Sequence, residues 1–241
     1  MFVKSFSSGS VCILAFIALV VAAAAPTSAA EIAFRQGPYS DGAISTTGTL
    51  IGALNPAIPD AVIDETVNGV LFTAITHETA NAGPVALSGG VIASIYNQAT
   101  TAHLGNGPEP HGHPLTDVFF FTSGEGTGAL EFFGLTEGQQ YELQLIMGDN
   151  RDVLDVEIWS DQTDNSGDSD IFVDHAPDPK MVTGVFTADA TGTQSLYVEV
   201  IPNFPGHFNA MQLRAIPEPS SLVVCGLGLL CLGVSGRRRK K

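Results

Sequence analysis

His111 and His113 stand at alternate positions of this 241-residue chain, and alternate residues of a strand share a face, so two imidazoles there can hold one transition metal. Pro108, Pro110 and Pro114 surround the pair and favour an irregular loop instead. A second group is acidic. Asp161, Asp164, Asp168 and Asp170 crowd a stretch that also holds Asn165, Asp174 and Asp178, where carboxylates repel one another unless they are solvated or bridged by a hard cation such as calcium. No Gly and Glu fall at the EF-hand offsets from Asp161 or Asp164, and a solvated loop is the simpler reading. Asp149 and Arg151 form a third candidate. They can grip a sugar hydroxyl or pin a turn by a charge-assisted hydrogen bond. Trp159 and Tyr197 can stack on a sugar, although a solitary tryptophan in a sandwich is more often a packing residue.

Catalytic signals are missing. There is no Gly-x-Ser-x-Gly elbow, no phosphate-cradling glycine loop and no His-Glu-x-x-His helix, and nothing singles out a carboxylate pair for glycoside cleavage. No catalytic residue is assigned, and the chain reads as non-enzymatic.

The elements that must position these groups are strands. Between Glu31 and Ile216, short alternating segments are separated by Gly, Pro, Asn and Asp at intervals of roughly ten residues, the spacing of sandwiches and barrels. From Gln139 to Met147, residues Tyr141, Leu143, Leu145 and Met147 face one way and Glu142 and Gln144 the other. The next segment turns Leu154, Val156 and Ile158 inward and Asp155 and Glu157 outward, and these two strands are expected to pair as a hairpin. The alternation returns in Met181–Ala188, in Ser195–Ile201 and in His207–Ala215, while Val67–Thr76 and Val118–Phe121 are apolar enough for central strands. A short helix fits around Ile92–Thr100. At least seven or eight strands are best buried as two antiparallel sheets packed face to face, so the fold class is all-β, a jelly-roll-type antiparallel β-sandwich.

Both ends differ in composition from this middle. Lys4, an apolar stretch from Val11 to Ala25 and the small residues of Pro26–Ala30 read as a signal peptide cut after Ala30 by signal peptidase, following export through Sec-type machinery. Cys12 stands at the start of the apolar stretch rather than after it, so it is not a lipidation site. At the other end, Pro217-Glu218-Pro219 leads into Leu222–Val234 and then Arg237, Arg238, Arg239, Lys240 and Lys241. Ser220 to Gly236 makes a helix of about 17 residues, at the short limit for a membrane span, and the cations would hold its end on the cytoplasmic side against membrane lipid. The expected organisation is therefore 1–30 signal peptide, 31–214 β-sandwich and 215–241 sorting segment, with the sandwich on the outer side of that membrane.

The remaining composition fits export. Cys12, Cys225 and Cys231 all lie in the end segments, so no disulfide holds the middle and its stability comes from a buried core. Arg35, Arg151, Lys180 and Arg214 face 24 acids between residues 31 and 216, a net charge of 4 − 24 = −20, which excludes a nucleic-acid partner.

Ile216-Pro217-Glu218-Pro219-Ser220-Ser221-Leu222 through Arg237-Arg238-Arg239 resembles the PEP-CTERM sorting signal, with its three parts in order. The resemblance implies recognition by a membrane-embedded exosortase, processing near the Pro-Glu-Pro, anchorage in the inner membrane before that step, and delivery to the cell surface or extracellular matrix, often beside exopolysaccharide. Gly48-Thr49-Leu50, Val67–Phe72, Gly134–Tyr141, Gly148–Arg151, Thr183–Asp189 and Asn209–Arg214 look like galactose-binding-like jelly-roll domains. That likeness implies a non-catalytic sandwich engaging carbohydrate. Gly105, His111, His113, Asp117 and Gly124, with Pro205-Gly206-His207 and Asn209, partly resemble the two cupin motifs, with Asp where the first motif has Glu. The alternative is thus an exported cupin-like metalloprotein or a carbohydrate-active enzyme.

Overall fold

Apolar alternation becomes strand nearly everywhere it occurs. The computed structural model describes residues 31–57, 62–95, 99–103, 115, 118–122, 128–148, 155–160, 171–174, 178–201 and 207–217. In chain order the strands are β1 (Ala33–Pro38), β2 (Thr49–Pro56), β3 (Glu65–Val67), β4 (Val70–Ile75), β5 (Val85–Ala86), β6 (Ile92–Ile95), β7 (Ala99–His103) and β8 (Val118–Thr122). They continue with β9 (Gly128–Phe133), β10 (Gln140–Met147), β11 (Asp155–Trp159), β12 (Ile171–Val173), β13 (Lys180–Thr187), β14 (Thr193–Ile201), β15 (His207–Phe208) and β16 (Ala210–Ile216). The α-helix among the described residues is α1 (His77–Asn81), capped by the Thr76 hydroxyl, which accepts from the Thr79 amide at 3.3 Å.

Seven strands make one sheet in the order β1-β13-β10-β16-β2-β4-β3, and six make the other in the order β12-β11-β14-β9-β6-β5. A small sheet, β15-β8-β7, completes the set. Pairing is antiparallel except between β2 and β4. From β9 onward the chain alternates between the two large sheets, β9 to β10, β10 to β11, β12 to β13 and β13 to β14, as in a jelly-roll-type β-sandwich.

Core residues come from the inward positions of both sheets. Leu143, Leu145, Val182 and Leu213 on the seven-stranded sheet meet Leu130, Phe132, Ile158 and Val198 on the six-stranded one. A second cluster lies on the opposite face of the seven-stranded sheet, where Ile146, Met181 and Ala210 pack with Ile44, Phe72 and Leu115. Strand β10 is therefore buried on both faces, which explains why Gln144 is buried too.

Three expectations are corrected. The segments around 139–147 and 154–158 do not form a hairpin: β10 pairs with β13 and β16, whereas β11 pairs with β12 and β14. Two strands whose apolar faces meet across a core cannot also be hydrogen-bonded neighbours. Val67–Thr76 is not one central strand. Asn68 and Gly69 take positive φ (49 and 76) and turn the chain into the β3–β4 hairpin at the sheet edge, the geometry a two-residue Asn-Gly loop favours. The described residues of Ile92–Thr100 are strand rather than helix: Ile92–Ile95 is β6, with Ala93 and Ile95 in the core, and Ala99 begins β7.

Candidate functional site

The two outer faces of the sandwich are used differently. On the seven-stranded sheet, residues 41–48 lie across the outer face and are tied down by side chains from β10 and β16. Gln144 Oε1 accepts from the Ser45 amide (2.8 Å) and its Nε2 donates to the Ala43 carbonyl (3.0 Å), while Gln212 Nε2 donates to Ser45 O (3.2 Å) and to Gln144 Oε1. Arg214 donates from Nε to Thr47 O (2.7 Å) and from Nη2 to Thr46 O (3.2 Å) and Gly48 O (3.0 Å). That face is occupied by the protein's own chain.

The six-stranded sheet presents a different outer surface. With Val156, Ile158, Leu196, Val198, Leu130 and Phe132 directed into the core, the alternate residues of the same strands face outward. Register arranges these in rows across the sheet. Phe172, Glu157 and Glu199 form one; Trp159, Tyr197 and Ala129 the next; Ser195, Glu131 and Ser94 the third; Thr193, Phe133 and Ile92 the last. Trp159 and Tyr197 stack with ring centroids 6.1 Å apart and planes inclined by 21°. Neither belongs to a core cluster, yet they are only 8% and 7% exposed, so the pair forms a floor rather than a projecting ledge. Phe172, by contrast, is 45% exposed at the edge. There the Gln36 amide donates to Phe172 O at 2.9 Å and links the sheet edges β1 and β12.

Three carboxylates ring the aromatic pair. Glu157 and Glu199 are directly opposed on neighbouring strands, a geometry that sets like charges against each other. Partial burial, and then the Glu199 charge, push the Glu157 carboxyl above its ordinary value. Glu131 is in the next row but one and accepts from the Ser195 hydroxyl at 3.3 Å. The face therefore combines apolar ring surface with acceptor-only carboxylates and with hydroxyls that both donate and accept. Such a surface can bind a hydroxylated ligand that has an apolar face.

The sequence singled out Trp159 and Tyr197 but not their partnership, since 38 positions separate them and only the β11–β14 register brings them together. Glu131, Glu157 and Glu199 had one available signal, their outward parity on alternating strands.

The other sequence candidates fall mostly elsewhere. Asp149 and Arg151 lie outside the described residues; the strand end before them is held by the Gly148 amide, which donates to Asn209 Oδ1 at 2.6 Å. Asp161, Asp164, Asp168 and Asp170 also lie outside, between the described Ser160 and Ile171. Of the metallo-cupin set, His111, His113 and Asp117 are outside, and His207 is in β15, opposite Phe121 and 1% exposed. Among the described residues no group of three or more His, Cys, Asp or Glu is placed to hold a metal ion. Ala30, Glu218, Pro219, Arg237, Arg238 and Arg239 are outside as well, while Pro217 is exposed immediately after β16. No helix of the described residues is long and apolar enough to cross a membrane.

Fold and faces together define a jelly-roll-type β-sandwich with one outer surface covered by its own chain and the other carrying aromatic rings, carboxylates and hydroxyls. Residues 215–240 match the PEP-CTERM protein-sorting motif. The chain thus carries the sorting signal of an exported protein handled by an exosortase-type system at the cell envelope. No curated protein matches it. Among solved structures it is similar to the CBM22-1 xylan-binding domain of Xyn10C from Paenibacillus barcinonensis, at 12% identity and a TM-score of 0.37, over 71% of this chain and 97% of that one.

Proposed function

We propose that this is a non-catalytic envelope protein whose outer six-stranded face binds polysaccharide at the place to which its tail delivers it. In this reading residues 1–30 are the signal peptide removed after Ala30, residues 31–214 the sandwich, and residues 215–241 the segment that holds the chain in the inner membrane until the exosortase acts. The polymer is then met at the cell surface or in the extracellular matrix.

One observation carries the binding part: the stacked Trp159–Tyr197 pair lies outside both core clusters, on the face opposite the one sealed by residues 41–48. The pair is more than nine-tenths buried, so the ring edges it leaves exposed, beside the 45% exposed Phe172 in the adjoining row, are the apolar surface offered to the C–H face of a sugar ring. The rows beside it supply polar partners. Ser195 and Glu131 lie one row further along the strands, about 6.6 Å away at two residues of rise, and Glu157 and Glu199 lie the same distance on the other side. Ionised carboxylates accept hydrogen bonds from sugar hydroxyls, and the serine can donate one in return.

Affinity electrophoresis of the detergent-solubilised full chain, through gels cast with neutral polysaccharides, tests this. Retardation by at least one polymer is expected, and Trp159→Ala should abolish it. A wild-type chain that no polysaccharide retards, or an unchanged Trp159→Ala variant, would remove the basis for sugar binding on this face.

A further inference from the structure

Strand register carries positions straight across the seven-stranded sheet. Ala33 of β1 opposes Val185 of β13, Val185 opposes Glu142 of β10, and Glu142 opposes Arg214 of β16. The first described strand therefore begins, and the last one ends, at the same pole of the sandwich. Three strand spacings separate them, about 14 Å. The turns at 135–139 and 188–192 belong to this pole as well, since Gln140 opposes both Ile216 and Thr187. The other pole is marked by the row of Pro38, Lys180 and Met147, with Ser40 and Asp178 beyond it; there the Tyr39 amide donates to Pro179 O at 2.9 Å.

Length decides what this arrangement permits. Strand β10 has eight residues, so the poles are about 23 Å apart along it. Beyond Ile216, only Pro217-Glu218-Pro219-Ser220-Ser221 precede the apolar run that begins at Leu222. Ile216 and Leu222 are six residue steps apart, which fully extended reach about 20–22 Å. A sandwich standing on its Ser40–Asp178 pole would hold Ile216 about 23 Å above the bilayer surface, beyond that reach even before the tail crosses the headgroups. Recovering the difference would mean peeling Ala215 and Ile216 away from β10. That would break the bond from Gln139 Nε2 to Ile216 O (2.6 Å) and disturb the Arg214 contacts beside it.

We propose that, while the tail is held in the bilayer, the pole built from residues 46–48, 135–139 and 188–192 faces the lipid headgroups and the Ser40–Asp178 pole faces away. The leash sets the orientation, independently of any sugar ligand. It rests on Ser220–Gly236, with its apolar run from Leu222 to Val234, being the membrane segment. Upright on this pole, the sandwich holds the strands of its aromatic face end-on to the membrane, leaving that face open to polymer from the side.

The absence of cysteine between residues 31 and 216 makes the test direct. In a full-length background of Cys12→Ser, Cys225→Ser and Cys231→Ser, a fluorophore is placed through Glu137→Cys or Ala190→Cys at one pole and through Ser40→Cys or Asp178→Cys at the other. The protein is reconstituted in phosphatidylcholine vesicles containing headgroup-spin-labelled lipid. Quenching should be several-fold stronger at 137 and 190 than at 40 and 178. A flexible insertion of about 12 residues after Pro217 should collapse that contrast, because the longer leash exceeds the height of the sandwich. Floating vesicles that quench all four positions equally, or an insertion without effect, would overturn the orientation and leave the sugar-binding proposal standing. A chain that does not float with the vesicles would overturn the membrane segment and the orientation together.

Discussion

Replacing Arg214 by Ala should be among the most damaging single changes outside the core. The side chain is 7% exposed and its guanidinium serves three carbonyls of one segment, those of Thr46, Thr47 and Gly48. Hydrogen bonds from charged donors contribute about 1.5–3 kcal/mol each when the acceptors stay buried. Here Thr46 and Thr47 are exposed, so their carbonyls can turn to water and most of that value is not lost. Gly48 is half-buried, at a φ of 76 that β-carbon-bearing residues avoid, and a β-carbon there would collide with the Ala215 carbonyl oxygen. The segment therefore has little freedom to relax. A net loss of about 2–3 kcal/mol is reasonable, corresponding to a fall of about 5–10 °C in Tm for a domain of this size. Arg214→Lys should recover less than half of it, because an ammonium cannot keep the forked geometry that reaches three carbonyls. Thermal unfolding followed by far-UV circular dichroism reads both variants. A Tm for Arg214→Ala within 2 °C of wild type, or a lysine variant equal to it, would refute the latch.

Two further outcomes follow from the same geometry. Glu157 has its carboxyl pKa raised in the fold by partial burial and by Glu199, so its ionisation opposes folding: this contribution is fully favourable below the ordinary value of 4.5 and is lost as pH rises through the folded pKa. Glu199→Gln should therefore raise Tm at pH 7 and leave it near wild type at pH 4; an equal gain at both values would show that charge is not the cause. Ending the chain after Pro217 should leave Tm unchanged, whereas ending it after Arg214 should lower it by removing the pairs Tyr141–Ala215 and Gln140–Ile216 and the Gln139–Ile216 bond, which comparison of the two melting curves decides.

Several strands were legible because half-burial writes a period of two into the sequence. Tyr141, Leu143, Leu145 and Met147 face the core as their alternation indicates, and so do Val156, Ile158, Leu196, Val198, Met211 and Leu213. Periodicity says which residues share a face, but not which strand lies alongside. The expected hairpin of β10 with β11 failed for that reason: nearness in sequence suggested pairing, while burying both apolar faces required the two strands to sit in opposite sheets. The β3–β4 turn, by contrast, had its signal in Asn68-Gly69, a pair suited to positive φ at both positions.

What the sequence alone determined was the address. Pro-Glu-Pro, an apolar run and a cationic end act through composition and order, which need no partner elsewhere in the chain, and the match at 215–240 lies where those residues stand. The all-β class was likewise local, since turn residues and alternation repeat along the chain. Tertiary structure alone decided which outer face residues 41–48 cover, that Trp159 lies against Tyr197, and that the first and last described strands meet one pole. Each of these depends on pairing between segments dozens of residues apart. Such pairing is fixed by the simultaneous burial of two sheets, which no stretch of sequence encodes by itself.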